Sequence, residues 1–248
     1  MKVIIANWKA NPSTLAEAQE LFRAEITEAA KYENVQTIIC PPFVYLEELS
    51  KLLLTTYYSL ETSSLGTQDV FWKESEALEP QKLGIRYVLV GHSDRRYKIG
   101  ETDETINKKI KSALGAQITP VLLVGERNKG DDRKQVLEKQ LSADLDGLIA
   151  DQISRTLIAY EPVWAISTKP GAEPDTPENT LKALKIISEF LSINYKLETR
   201  NYLYGGSVNE KNVADFLSHP EISGAVIGGA SLRKDEFVEI LRIISEIK

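Results

Sequence analysis

Apolar residues along this chain fall into short continuous runs, separated by longer stretches in which they recur at helical spacing. The clearest runs are Val3–Ala6, Thr37–Cys40, Tyr87–Val90, Pro120–Val124, Thr156–Tyr160, Tyr202–Tyr204 and Ala225–Ile227. An eighth, more weakly patterned, lies within Ser59–Gln68. Continuous runs, rather than alternating ones, are expected of parallel strands covered on both faces. Between them Ser13–Glu28, Thr105–Leu114, Gln135–Ile149 and Pro177–Leu191 read as amphipathic helices, and Asn209–Leu217 and Lys234–Ile247 supply the last two. Thr176-Pro177-Glu178 is a helix start, an N-cap followed by proline at the first helical position. Strand starts recur every 20–45 residues or roughly so, the size of βα units. Eight such units predict an α/β fold with eight parallel strands and outer helices, a closed (βα)8 barrel rather than an open doubly wound sheet. No linker, low-complexity tract or charge block interrupts residues 1–248, so a single domain is expected.

Composition narrows the function classes. The 248 residues carry 30 Lys+Arg against 36 Asp+Glu, a formal net charge of −6. That balance argues against nucleic-acid and anionic-membrane partners, which need a basic face. It leaves room for a small anionic substrate. Cys40 is alone, which excludes an internal disulfide and a cysteine-based zinc site and fits a reducing cytosol. The N-terminal apolar run stops at Asn7, too soon for a secretory signal, and no apolar stretch reaches the length of a membrane span. A cytoplasmic protein is expected. Neither GxGxxG after a first strand nor GxxxxGK[ST] is present, so the usual nucleotide loops are missing.

In such a barrel, catalytic residues lie at the C-terminal ends of strands. Those ends carry Asn7-Trp8-Lys9, Gly91-His92-Ser93-Asp94-Arg95-Arg96, Gly125-Glu126, Glu161-Pro162-Val163-Trp164-Ala165-Ile166, Gly205-Gly206-Ser207 and Gly228-Gly229-Ala230-Ser231. Singly, each has a plainer explanation. Lys9 could be a solvated lysine, His92 a helix cap, Glu161 a turn carboxylate, and each Gly-Gly pair a tight turn. His219, before Pro220, reads as a surface residue. Together they place a carboxylate base, a cation, an imidazole and two glycine-rich anion nests on one rim. That combination is a phosphate holder beside acid–base groups.

Six segments, in order and in register from residue 6 to residue 232, resemble the triosephosphate isomerase family. They are Ala6-Asn7-Trp8-Lys9, the stretch from Gly91 to Glu104, Val124-Gly125-Glu126, the stretch from Ala159 to Ile166, Tyr204-Gly205-Gly206-Ser207-Val208, and Gly228-Gly229-Ala230-Ser231-Leu232. The resemblance implies a TIM barrel that interconverts dihydroxyacetone phosphate and glyceraldehyde 3-phosphate without cofactor or metal. It implies Glu161 as the base, His92 as the electrophile on the substrate oxygens, Lys9 as the cation for the enediolate and Asn7 as the residue that orients it. A neutral His92, with its pKa lowered by a short helix opening at Ser93, follows from the same resemblance. Pro162 to Ala172, including Thr168 and Lys169, match a lid over the substrate. Backbone N–H groups of Ser167, Ser207, Gly228 and Gly229 match phosphate contacts. Tyr204 and Ser207 match latch residues, Glu126 and Trp164 a pair linked to lid motion, and Ile166 and Val226 the jaws of an apolar clamp. Ser93 and Asp94 stand behind them.

The sequence also departs from the family. The lid reads Ser167-Thr168-Lys169-Pro170-Gly171-Ala172 where Gly-Thr-Gly-Lys-Thr-Ala is usual, so its second hinge is rebuilt. Asp94 replaces a Glu behind Lys9, for which a modest cost or a compensating shift is expected. After Gly66-Thr67-Gln68-Asp69, Val70–Glu76 leads directly towards a helix before Leu83-Gly84, about seven residues shorter than the family's dimer loop. Ala10 replaces the usual Met on the same interface. A monomer, or a different interface that could involve Phe71-Trp72, is therefore expected. Two rival functions remain open from sequence: an idle phosphate-binding barrel, and an isomerase for another sugar phosphate.

Overall fold

The computed structural model describes residues 1–55, 62–70, 83–168, 171–198 and 202–247. Eight strands run β1 Lys2–Asn7, β2 Val35–Cys40, β3 Ser63–Thr67, β4 Ile85–Val90, β5 Thr119–Val124, β6 Leu157–Tyr160, β7 Tyr202–Tyr204 and β8 Ile222–Ile227. Each pairs in parallel with the next, and β8 returns to β1 to close the barrel. The helices around it are α1 Leu15–Ala29, α2 Leu46–Thr55, α3 Asp103–Gly115, α4 Arg133–Asp144, α5 Ala150–Ser154, α6 Pro177–Tyr195, α7 Val213–Leu217 and α8 Lys234–Glu246.

The continuous apolar strands are explained by two separate cores. Ile5, Ile38, Leu89, Val121, Leu123, Ala159, Leu203 and Val226 fill the barrel interior. Their strand neighbours, such as Ile4, Ala6, Ile39, Val88, Leu122 and Ile227, face the helix layer. Burying each such side chain stabilises the fold by about 1.5–3 kcal/mol relative to exposure. Helix starts follow local chemistry. Thr14 accepts from the Glu17 amide at 3.3 Å while Glu17 Oε2 accepts from the Thr14 amide at 3.2 Å, a reciprocal capping box for α1. Thr176 caps α6 with Pro177 at its first turn, as the sequence predicts.

Several boundaries differ from expectation. The helix expected over Gln135–Ile149 is α4, ending at Asp144, with the short α5 following from Ala150. Gly147 at φ +70° turns the chain between them, a conformation in which a helix cannot continue. The helix expected over Asn209–Leu217 begins only at Val213, because Asn209 and Asn212 hydrogen-bond locally in a turn before it. Helix α2 is not among the sequence expectations, although Leu46, Leu49 and Leu53 place its buried face at helical spacing. Residues 71–82, which include Phe71-Trp72 and most of the shortened loop, lie outside the described residues, as do Lys169 and Pro170.

One buried group stands apart from this apolar layer. Glu25 on α1 is fully buried; its Oε1 accepts from the Trp8 indole at 3.2 Å, while Oε2 has no partner among the described residues. Burial raises its pKa well above the usual 4.5, against the smaller opposing effect of the Trp8 hydrogen bond. The folded state therefore holds a proton that the unfolded chain releases above that value. The resulting stability is complete below pH 4.5 and is lost as pH rises through the folded-state pKa. Glu25→Gln, a neutral isostere, removes this dependence. Chemical denaturation across pH is expected to show the variant gaining on the parent by about 1.4 kcal/mol per pH unit above the unfolded pKa, until the folded pKa is passed. A difference that does not change with pH contradicts an un-ionised Glu25.

Candidate active site

Because all eight strands point the same way, their C-terminal ends form one rim. A cavity of about 350 Å³ opens there, lined by Asn7, Lys9, His92, Glu161, Ser207 and Gly228 among others. Glu161 is 3% exposed and is set by the backbone on both sides. Its amide donates to the Val124 carbonyl at 2.8 Å, and a Cβ on Gly125 would lie 2.0 Å from the Glu161 carbonyl oxygen. Only glycine allows β5 to pass so close.

The Glu161 carboxylate rests on the start of the loop after β4. Oε2 accepts from the Ser93 amide at 2.8 Å, Oε1 accepts from the Ser93 hydroxyl at 3.3 Å, and His92 Nε2 is 3.2 Å from Oε1. On its other side, His92 Nδ1 accepts the Asp94 amide at 3.1 Å. A nitrogen that accepts carries no proton, so this contact selects the neutral tautomer with hydrogen on Nε2, facing the cavity. The short helix expected to open at Ser93 takes the form of a helical turn that continues as a π turn over Arg95–Ile99. It is braced from below. Arg96 donates to the Gly91 and Leu123 carbonyls at 2.7 and 3.2 Å and pairs with Asp144 and Asp103. Arg95 reaches both Asp69 and Glu101 at 2.6 Å, and the buried Lys109 pairs with the same two carboxylates.

Lys9 sits at φ +53°, a left-handed conformation that costs a non-glycine residue on the order of 1–2 kcal/mol. Three contacts hold it there. Its amide donates to Asn7 Oδ1 at 3.1 Å, its carbonyl accepts from Gln68 Nε2 at 2.7 Å, and its ammonium lies 3.3 Å from Asp94 Oδ2. The shorter Asp94 side chain thus still reaches Lys9, and it also pairs with Lys98 at 2.9 Å.

The segment expected to form the lid starts beside Glu126. Glu126 Oε1 accepts from the Tyr160 hydroxyl at 2.7 Å, the Trp164 indole at 3.1 Å and Arg133 Nε at 3.1 Å. Burial, then the neighbouring Glu126 charge, raises the Tyr160 pKa, so the hydroxyl stays a donor. Arg133 goes on to Asn179, which meets Asp175. Beyond Trp164, the Ser167 amide donates to Ser207 Oγ at 2.6 Å. Ser207 Oγ in turn donates to the Ala165 carbonyl at 2.9 Å. Tyr204 stacks on Phe216, its ring centroid 4.2 Å away, and burial and the Asp175 carboxylate raise its pKa. Ile166, Thr168 and Val226 line the cavity, as do Gly228 and Gly229; Ala172 is not among the lining residues.

Thus Asn7, Lys9, His92, Glu161, Ile166, Ser167, Thr168, Ser207, Val226, Gly228 and Gly229 converge on one space. Ser93, Asp94, Glu126, Trp164 and Tyr204 stand behind it. Sequence reasoning missed Gln68 as the support of Lys9, Arg133 as the third partner of Glu126, and Arg233 and Glu236 at the cavity mouth. Gln68 acts through a contact with a segment 59 positions away that no local spacing signals, whereas Arg133 stands only seven positions after Glu126, at the start of α4. Arg233 directly follows the Gly228–Leu232 motif in the sequence. Among the described residues, no cluster of His, Cys, Asp or Glu is arranged to hold a metal ion, and no helix is long and apolar enough to cross a membrane.

Fold and rim together define an acid–base enzyme of the (βα)8-barrel class, built around a small phosphate-bearing substrate. The family model "Triosephosphate isomerase" matches residues 2–244. Triosephosphate isomerases of Dehalococcoides mccartyi and Dictyoglomus thermophilum are 40% and 39% identical, each over 97% of this chain and 95% and 98% of theirs. The crystal structure of the enzyme from Bartonella henselae superposes with a TM-score of 0.80 at 28% identity, covering 98% of both chains. The chain belongs to the triosephosphate isomerase family.

Proposed function

We propose that this rim interconverts dihydroxyacetone phosphate and glyceraldehyde 3-phosphate by proton transfer through an enediolate. The observation that carries the reading is the buried contact of Glu161 with a His92 held in its neutral, Nε2-protonated form. With substrate bound, the Glu161 carboxylate leaves Ser93 and takes the proton from the carbon beside the carbonyl. The C–H electron pair forms the carbon–carbon double bond, and the carbonyl pair moves onto oxygen. His92 Nε2–H and the Lys9 ammonium stabilise that oxyanion. A neutral imidazole can give its proton to one oxygen and recover one from its neighbour. Glu161 then returns its proton to the adjacent carbon, which completes the isomerisation with no net change in oxidation state.

Backbone N–H groups of Ser167, Ser207, Gly228 and Gly229 hold the phosphate, and Ile166 and Val226 clamp the base. The lid from Pro162 to Ala172 excludes water, which matters because an enediolate exposed to solvent can lose its phosphate. Lys169 belongs to this lid by sequence. Since β1, β4, β6, β7 and β8 all contribute, residues 1–248 act as one catalytic unit. The carboxylate and cation disfavour an idle phosphate-binding barrel, because a holder of phosphate alone has no use for a buried base. The small, partly apolar cavity favours three carbons over a longer sugar phosphate.

The shortened segment after Asp69 and the Ala10 substitution support a monomer, and the lone thiol of Cys40, buried at the barrel core, suits a reducing compartment such as the cytoplasm. Sedimentation equilibrium is expected to give a single 27.7 kDa species with turnover independent of concentration. A tight dimer overturns the monomer reading and leaves the chemistry untouched.

Glu161→Gln keeps the shape and removes the base. It is expected to lower kcat by about 100- to 10,000-fold with little change in KM. A comparable loss in kcat is expected for Lys9→Met, together with weaker substrate binding, since the ammonium faces both oxyanion and phosphate. A coupled steady-state assay with glyceraldehyde 3-phosphate separates the two parameters. Near-normal kcat in Glu161→Gln contradicts its role as the base.

A further inference from the structure

The cavity lining carries a second cation that the mechanism above leaves unused. Arg233 follows the Gly229–Leu232 turn and lies at the start of α8, with Glu236 one turn further on. Both line the same cavity as Lys9 and Glu161. The Gly228-Gly229 pair sits between the two cations. A Cβ placed on Gly228 would lie 3.6 Å from Lys9 Cε, and one placed on Gly229 would lie 3.9 Å from Arg233 Nη1. Arg233 Nη1 also donates to the Gly229 carbonyl at 3.1 Å, which ties the guanidinium to the turn. Its Nε pairs with Glu236. The side chain is 62% exposed, so it stands at the mouth, where an arriving anion meets it early.

Charge makes this placement consequential. The chain as a whole carries −6, a field that repels a dianion. Among the lining residues, Lys9 and Arg233 oppose Glu161 and Glu236, so the formal charge of the cavity is balanced only because Arg233 is there. The Gly-Gly nest supplies partial positive charge from N–H groups, while Arg233 adds a full charge beside it. Glu236 works against it, offsetting the guanidinium and repelling the same dianion.

We propose that Arg233 is a further substrate-binding residue, which captures the dianionic phosphate group at the cavity mouth and holds it against the Gly228-Gly229 turn, with Glu236 limiting its effect. This rests on the triose phosphate reading for its substrate, but not for its ligand chemistry: inorganic phosphate alone engages the same groups. Arg233 touches no reacting carbon, so its contribution falls on capture and binding rather than on the proton transfer.

The test is steady-state kinetics with glyceraldehyde 3-phosphate, together with calorimetric titration of inorganic phosphate, at low and at high ionic strength. For an exposed charge several ångströms from a dianion, Arg233→Ala is expected to lower kcat/KM about three- to tenfold at low salt, with kcat changed less than twofold. The phosphate Kd rises by a similar factor, and both effects shrink at high salt. Arg233→Lys restores most of the loss, because charge matters more here than guanidinium geometry. Glu236→Gln moves kcat/KM in the opposite direction, upwards by about twofold. A loss that persists at high salt, a fall in kcat at unchanged KM, or unchanged phosphate affinity in Arg233→Ala overturns the proposal. If the parent protein fails to turn over the triose phosphate while the phosphate titrations still separate parent from variant, the substrate reading falls and the role of Arg233 stands.

Discussion

The pairing of β8 with β1 closes the barrel, and Gly224 makes it possible. A Cβ at that position would lie 1.8 Å from the Val3 carbonyl oxygen, so a larger residue must push the two strands apart. With Val3 opposite Gly224 and Ala6 opposite Ile227, the residues that follow β1 and β8 emerge side by side. That is why Lys9 and the Gly228-Gly229 turn share one cavity although they are over two hundred positions apart in sequence. The rest of the rim follows from the same closed register. All eight strands run in the same direction, so each delivers the loop that follows it to one end of the barrel.

Within that frame, the proposed chemistry depends on groups whose ordinary behaviour has been narrowed by their neighbours. His92 is restricted to one tautomer by a single backbone amide. Lys9 is kept in a costly backbone conformation by Asn7, Gln68 and Asp94, so that its ammonium faces the cavity rather than solvent. Glu161 rests on Ser93, its carboxylate satisfied by the Ser93 amide and hydroxyl. None of these residues is unusual in type. What distinguishes them is that each is positioned by at least one contact from a different strand–loop unit, which the closed barrel alone brings within reach.

Much of this was legible in the sequence, and the reasons can be stated residue by residue. Continuous apolar runs marked seven strands because a parallel barrel buries both faces, whereas β3, Ser-Ser-Leu-Gly-Thr, is buried with polar side chains and gave only a weak pattern. The Gly147 turn between α4 and α5 was hidden by helical periodicity on both sides of it. Helix α2 was hidden by following directly on the turn at Phe43–Tyr45. Candidate site residues carried in contiguous motifs, such as Asn7-Trp8-Lys9 and Gly91-His92-Ser93, could be picked out directly, and the structure brings Asn7, Lys9 and His92 to one cavity. Their supports could not be picked out. Gln68 beneath Lys9, Asn179 on Arg133, and Asp69 against Lys109 are meetings between remote segments, and spacing along the chain carries no record of them.

The central claim is that hydrogen moves between adjacent carbons as a proton held by the Glu161 carboxyl. A carboxyl proton exchanges with solvent in a way that a hydride never does. The direct measurement is to run the isomerisation of dihydroxyacetone phosphate in deuterated water, trap the aldehyde product as it forms, and locate the isotope by proton NMR. Deuterium at C2 of part of the freshly formed glyceraldehyde 3-phosphate is the predicted result. Product formed with no deuterium at that carbon contradicts a carboxyl carrier in exchange with solvent and points to direct hydride transfer between the carbons.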